Sequence, residues 1–101
     1  MPNKVIVLTP AREDIVHISD YHLMMVGPAS AEKITDKLLD GIDHLAEHPL
    51  MGSLHGDPML AEQGYRKLVC GEYICVYRVL GDEVTVYRVV HGATGYPKYF
   101  I

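Results

Sequence analysis

Residues 65–91 constrain the fold most. Three segments rich in β-branched and aromatic residues, Tyr65–Cys70, Glu72–Leu80 and Glu83–His91, follow one another with almost nothing between them. Gly71 permits the first turn. Leu80-Gly81-Asp82-Glu83 reads as a two-residue hairpin with glycine at the first central position. Connections this short join only antiparallel neighbours, so this part of the chain is an antiparallel meander. The hairpin sets Val79 opposite Val84, Tyr77 opposite Val86, Cys75 opposite Arg88 and Tyr73 opposite Val90. That side is mostly apolar and is expected to pack on helices. The other side carries Glu72, Ile74, Val76 and Arg78, facing His91, Val89, Tyr87 and Thr85. A different turn length would flip one strand relative to the other.

The preceding residues supply the helices. Residues 3–8 (NKVIVL) are β-branched and apolar, which predicts a strand buried on both faces. Thr9 and Pro10 predict a helix start, with Thr9 as N-cap and Pro10 in the first turn. Ala11, Ile15, Ile18, His22 and Met25 recur at spacings of three and four and share one face. Met24-Met25-Val26 reads as core at the end of this helix, or else as a methionine surface for a partner helix, and Gly27-Pro28 stops it. A second helix is predicted from about Ala29 to Glu47, with Ile34, Leu38, Ile42 and Leu45 as its buried stripe. Asp36, Asp40, Asp43 and Glu47 recur at four, three and four; an amphipathic helix explains them as a solvated face. His44 and His48 are four apart, but without a third ligand they do not make a metal site. Residues 49–64 show no sustained period and read as a long loop. Its Leu50, Met51, Leu54, Met59 and Leu60 either fold back on the core or form part of a partner surface.

The order strand, helix, helix, antiparallel meander defines an α+β domain of residues 1–101 with a two-helix hairpin on one face of the sheet. A chain of 101 residues is too short to divide into two cores. No apolar run approaches the roughly 18 residues that cross a bilayer, so no membrane partner is expected. The N-terminal apolar run is too short for a signal peptide. Cys70 and Cys75 lack the CxxC spacing of a zinc or redox pair and read as free thiols in a reducing cytoplasm. No metal and no cofactor are expected. The net charge of −4 is uneven: residues 1–64 hold four basic and ten acidic side chains, residues 65–101 five basic and three acidic. Nonspecific nucleic-acid binding needs a basic surface, which the whole chain lacks; the last third permits a small anionic site.

Four stretches, LTPAREDIVHISDY (Leu8–Tyr21), IDHLAEHPLMG (Ile42–Gly52), GYRKLVCGEYICVYRV (Gly64–Val79) and VTVYRVVHG (Val84–Gly92), together and in order resemble the RelE/ParE superfamily of toxins from type II toxin–antitoxin pairs. The resemblance spans nearly the full chain. It implies a small cytoplasmic bacterial protein that arrests growth unless a cognate antitoxin binds it. Its RelE branch cleaves mRNA on the ribosome, and its ParE branch acts on DNA gyrase. The resemblance also aligns Ile74 with a family arginine, Ala93-Thr94 with a basic pair and Gly95 with an acidic residue. These departures, with the acidic net charge, favour the ParE-like branch over a ribosome-directed nuclease. They also keep open a degenerate toxin that only binds its antitoxin.

Were the chain an endoribonuclease, it would need a base, an acid and cations for the phosphorane charge. Arg66, Arg78, Arg88, His91, Tyr96 and Tyr99 are the residues of those types. Arg66 would contact phosphate or an acidic antitoxin, or else be a surface charge beside Glu72. Arg78, across from Thr85, would contact phosphate or carboxylate, or else snorkel. Arg88 shares its side with valines and needs a counterion, with Glu13, Asp14 and Asp20 as candidates. His91 would be a general acid or base, or else an edge histidine bonded to backbone. Tyr96 and Tyr99 belong to an apolar C-terminal tail that reads as docked on the core.

Overall fold

In the computed structural model, which describes residues 3–92, the first apolar run forms strand β1 (Lys4–Val7) and leads directly into helix α1 (Thr9–Met25). The N-cap is Leu8, not Thr9, and no side chain caps this end. The reason lies in the sheet: the Leu8 amide donates to the Val86 carbonyl (3.0 Å), which holds Leu8 extended until the helix begins. Pro10 sits in the first turn, where its missing N–H costs nothing. At the other end, Gly27 (φ +142°) reverses the chain, and Val26 and Gly27 both donate to the His22 carbonyl (2.9 Å each). Helix α2 (Pro28–His44) follows. It buries Ala31, Leu38 and Ile42, and Leu45 just beyond its end is fully buried. Asp36, Asp40, Asp43 and Glu47 are all exposed, as a solvated face requires. His44 Nδ1 is 2.7 Å from the Asp40 carbonyl, and the described residues contain no cluster able to hold a metal ion.

The segment expected to be a plain loop has structure of its own. It contains strand β2 (Ser53–Leu54) and helix α3 (Pro58–Glu62). Asp57 caps α3, its Oδ1 accepting from the Met59 and Leu60 amides (3.0 and 3.2 Å). Both elements are too short to show a period. Of the apolar residues here, Leu60 is core, whereas Leu50, Met51, Leu54 and Met59 are exposed.

Strands β3 (Tyr65–Cys70), β4 (Tyr73–Leu80) and β5 (Glu83–His91) form the expected meander. The sheet order is β1-β5-β4-β3-β2, with β1 parallel to β5 and every other pair antiparallel. β1 is thus an edge strand and only half-buried, not covered on both faces. Gly81 (φ +64°) makes the two-residue hairpin, and the pairing runs as expected from Leu80↔Glu83 to Tyr77↔Val86. A β-bulge then shifts the register, so that Val76 faces Arg88, Cys75 faces Val89, Ile74 faces Val90 and Tyr73 faces His91. The expected Cys75–Arg88 and Tyr73–Val90 pairs are therefore displaced by one residue, because the bulge adds Tyr87 to one strand alone.

Two apolar clusters lie on opposite sides of the sheet. The larger joins Ala11, Leu38, Ile42 and Leu45 of the helical layer to Leu68, Cys75, Tyr77, Val84, Val86 and Val89. The smaller joins Leu60 of α3 to Tyr65 and Val76, with Ile74, Tyr87 and Val90 packed against it. The helix pair α1–α2 covers one face, and α3 covers part of the other. Cys70 and Cys75 are free, buried, and on the helix-covered side. Met24, Met25 and Val26 are not core: they are 83, 66 and 72% exposed. His22 meets Tyr73, which pairs with His91 at the end of the β4–β5 ribbon. One more helical turn carries α1 past the end of the sheet.

Candidate functional site

The structure disperses the arginines that sequence reasoning grouped. Arg66 is not beside Glu72. Its guanidinium holds the Gly52 carbonyl through Nε (3.1 Å) and Nη2 (2.7 Å), with the Leu50 carbonyl at 3.5 Å. Arg66 faces Tyr77 across the sheet, and the Tyr77 hydroxyl completes the clamp: it donates to the Pro49 carbonyl (2.8 Å) and accepts from the Gly52 amide (3.0 Å). Glycine is required at 52, because a Cβ would strike the Lys67 carbonyl and the Tyr77 hydroxyl (2.8 Å). Arg78 faces Tyr65, on the other side of the sheet from Arg66, with its guanidinium 5.1 Å from the Tyr65 ring centroid. Its Nε is buried and has no hydrogen-bond partner among the described residues. Thr85 is its neighbour on β5, as expected.

Arg88 has the partner the sequence argument required. Its Nε is 2.7 Å and its Nη2 2.9 Å from the Asp14 carboxylate on α1. This bond raises the already high pKa of the guanidinium, against the opposing effect of burial. The side chain is 40% exposed rather than buried, because the bulge beside it turns it out of the valine stripe. Neither Asp20 nor Glu13 forms an ion pair with it, though the nearby Glu13 charge also helps raise its pKa. Tyr96 and Tyr99, with residues 93–95, lie outside the described residues.

Among the described candidates, His91 is the one with other titratable groups gathered round it. Its Nε2 is 4.0 Å from Glu72 Oε2, and its ring stands edge-on to Tyr73 at 5.5 Å. On the far side of Tyr73, His22 bridges two hydroxyls: Nε2 is 3.0 Å from Tyr73 Oη and Nδ1 is 3.0 Å from Ser30 Oγ. Burial, then Glu72 and Tyr21, raise the Tyr73 pKa, so its hydroxyl stays protonated. Tyr21, His22, Val26, Glu72, Tyr73 and His91 line a cleft of about 460 Å³. Two imidazoles, a phenol and a carboxylate on one cleft can bind a polar group and move protons. Sequence reasoning missed His22, Ser30, Glu72 and Tyr73 as members. The available signal was His22 itself, a polar ring on an apolar stripe facing the side of the ribbon that carries Tyr73; each needs a hydrogen-bond partner.

Beside this cleft, the exposed end of α1 presents Tyr21, Leu23, Met24, Met25 and Val26. No described helix is long and apolar enough to cross a membrane.

A search of curated proteins finds no match. Solved structures that share the fold include the following two. A chain of the chromosomal ParDE toxin–antitoxin system from P. aeruginosa is 20% identical with a TM-score of 0.74, covering 88% of this chain and 95% of that one. A chain of the RelBE2 toxin–antitoxin complex from Mycobacterium tuberculosis is 24% identical with a TM-score of 0.66, covering 90% of this chain and 99% of that one. At these identities the likeness establishes architecture only. The sequence model of the ParE toxin of type II toxin–antitoxin systems, parDE, matches residues 5–96. That match spans the strand, the helix pair and the whole meander, and on it this chain belongs to the ParE toxin family of type II toxin–antitoxin systems.

Proposed function

We propose that this toxin inhibits growth by acting on DNA gyrase and is neutralised by a cognate antitoxin. The observation that carries the choice of target is the dispersal of the three arginines of the meander strands. Cleavage of RNA needs positive groups converging on one phosphorane. Here Arg66 is spent on the carbonyls of residues 50 and 52, Arg88 is neutralised by Asp14, and Arg78 stacks on Tyr65 on the opposite face. The net charge of −4 also disfavours the phosphate-rich ribosomal site. For the antitoxin, the Met24–Val26 end of α1 supports an apolar helix contact, since methionine surfaces adapt to partner helices. The P. aeruginosa relative comes from a paired ParDE system, which is in keeping with such a partner.

Induced expression without antitoxin, with pulse-labelled DNA and protein synthesis, tests the reading. Gyrase action stops DNA synthesis first and accumulates gyrase–DNA adducts. Normal supercoiling in arrested cells rejects it. The His22–Tyr73–His91 cleft favours one second reading, a metal-independent endoribonuclease on the ribosome. In that case protein synthesis falls first, and mRNA cuts disappear in His91→Ala. No arrest at all points to a chain that retains only antitoxin binding.

A further inference from the structure

A second cleft, of about 200 Å³, lies between α2 and the turn joining β3 to β4. Ser30, Lys33 and Lys37 of α2 line one side, Gly71 and Tyr73 the other. Lys33 and Lys37 are one helical turn apart, so both ammonium groups reach the same space. Neither forms an ion pair among the described residues, although α2 also carries Glu32, Asp36 and Asp40. Lys37 Nζ lies 3.5 Å from the position a Cβ would take at Gly71, which sets the ammonium against the turn. Glu72 also lines the cleft, but its side chain is 81% exposed and stands 4.0 Å from His91.

Two hydroxyls complete the cleft. Ser30 Oγ and Tyr73 Oη each lie 3.0 Å from one nitrogen of the His22 ring. A neutral imidazole donates through one nitrogen and accepts through the other. One of the two hydroxyls therefore always keeps its own proton for a ligand. We propose that this cleft binds a phosphate or phosphomonoester group, with Lys33 and Lys37 supplying charge and the Ser30 or Tyr73 hydroxyl supplying orientation. Ammonium groups act as point charges, a role in which lysine commonly binds phosphate, and two of them match the charge of a dianion. The two like charges repel each other, and a dianion between them relieves that repulsion. The site does not depend on whether gyrase or the ribosome is the target.

The test is a titration of the isotope-labelled full chain with inorganic phosphate, at fixed pH and ionic strength, against chloride as the control salt. Saturable amide shifts confined to Ser30, Lys33, Lys37, Gly71 and their neighbours are expected, with a Kd on the order of 1 mM. The Lys33→Ala/Lys37→Ala double variant, solvent-facing substitutions that leave the amide fingerprint folded, loses roughly tenfold or more in affinity. A second arm with a nucleoside monophosphate separates the sources: equal affinity assigns the phosphoryl group alone, and tighter binding with the same shifts assigns a phosphomonoester. Unsaturable shifts like those of chloride, shifts elsewhere, or an unchanged double variant overturn the proposal.

Discussion

Asp14 holds Arg88 and the backbone beside it at the same time. Its Oδ2 accepts from Arg88 Nε at 2.7 Å and from the Val89 amide at 2.9 Å, while Oδ1 accepts from Nη2 at 2.9 Å. One carboxylate thus fastens α1 to β5 just after the bulge, where a displaced ladder would leave an amide unpaired.

Asp14→Ala removes all three bonds and leaves the Val89 amide without its acceptor. The expected loss is about 1–3 kcal/mol of folding stability. Arg88→Gln keeps the backbone bond and gives up an ion pair whose cation is 40% exposed, worth at most about 1 kcal/mol. Urea midpoints of the two variants check the order. Equal losses would mean that the Asp14–Val89 bond contributes nothing separate.

Tyr77→Phe tests the clamp on residues 49–52. The fully buried Tyr77 hydroxyl serves both the Pro49 carbonyl and the Gly52 amide, and phenylalanine leaves both without that partner. A cost of about 1–3 kcal/mol is expected. Gly52→Ala should cost more, because the Cβ meets the Lys67 backbone, which cannot swing aside as a side chain can. Chemical denaturation measures both. A Gly52→Ala protein as stable as wild type would show that this segment moves freely away from β3.

These contacts mark where sequence reading stops. The meander was legible because β-branched runs and a Gly81 turn fix strands and partners locally. The two long helices were legible from their apolar period. The bulge after Val86 was not, since inserting Tyr87 changes no composition and no alternation that a flat ribbon would reveal. β2 and α3 were too short for any period. The need of Arg88 for a carboxylate was readable, but the choice of Asp14 over Glu13 and Asp20 depends on how α1 lies across β5. Arg66 looked like an exposed cation because the carbonyls it holds come from a segment with no pattern of its own. The His22–Tyr73–His91 grouping joins residues far apart in the chain, so only the packed structure brings it together.

His55 should make the fold sensitive to mild acid. The ring is buried, and its Nδ1 accepts from the Asp57 amide (3.0 Å), which requires the neutral form. Burial, and then Lys67, lower its pKa below 6.5, with Asp57 opposing. Below pH 6.5 the unfolded chain therefore binds more protons than the folded one, and stability falls as pH falls toward the depressed folded value. His55→Gln should show a shallower loss between about pH 6.5 and 5, read from urea midpoints at each pH. Parallel curves for the two proteins would count against this role.

The thiols should be silent in the native state. Burial raises the Cys75 pKa from 9.0 to about 12 and also raises that of Cys70. A thiol-disulfide reagent near neutral pH should react with neither until the protein unfolds. The linkage has the opposite sense to that of His55. The Cys75 contribution is present below pH 9.0 and is lost as pH rises toward about 12, because the unfolded thiol ionises first. Rapid labelling of folded protein would show that the sheet opens around β4.

The exposed end of α1 gives the most direct test of antitoxin docking. Met24 is 83% exposed, so Met24→Glu costs the isolated toxin little, within about 0.5 kcal/mol. If the antitoxin lays an apolar helix face over Met24, Met25 and Val26, the same change buries a carboxylate against that face and should weaken the complex at least about tenfold. Calorimetric titration with the cognate antitoxin, beside a thermal melt of the variant alone, separates binding from folding. The growth phenotype supplies an independent reading: the variant should remain toxic yet escape neutralisation. An antitoxin that binds Met24→Glu as tightly as wild type must cover another surface, and the apolar end of α1 then serves some contact other than neutralisation.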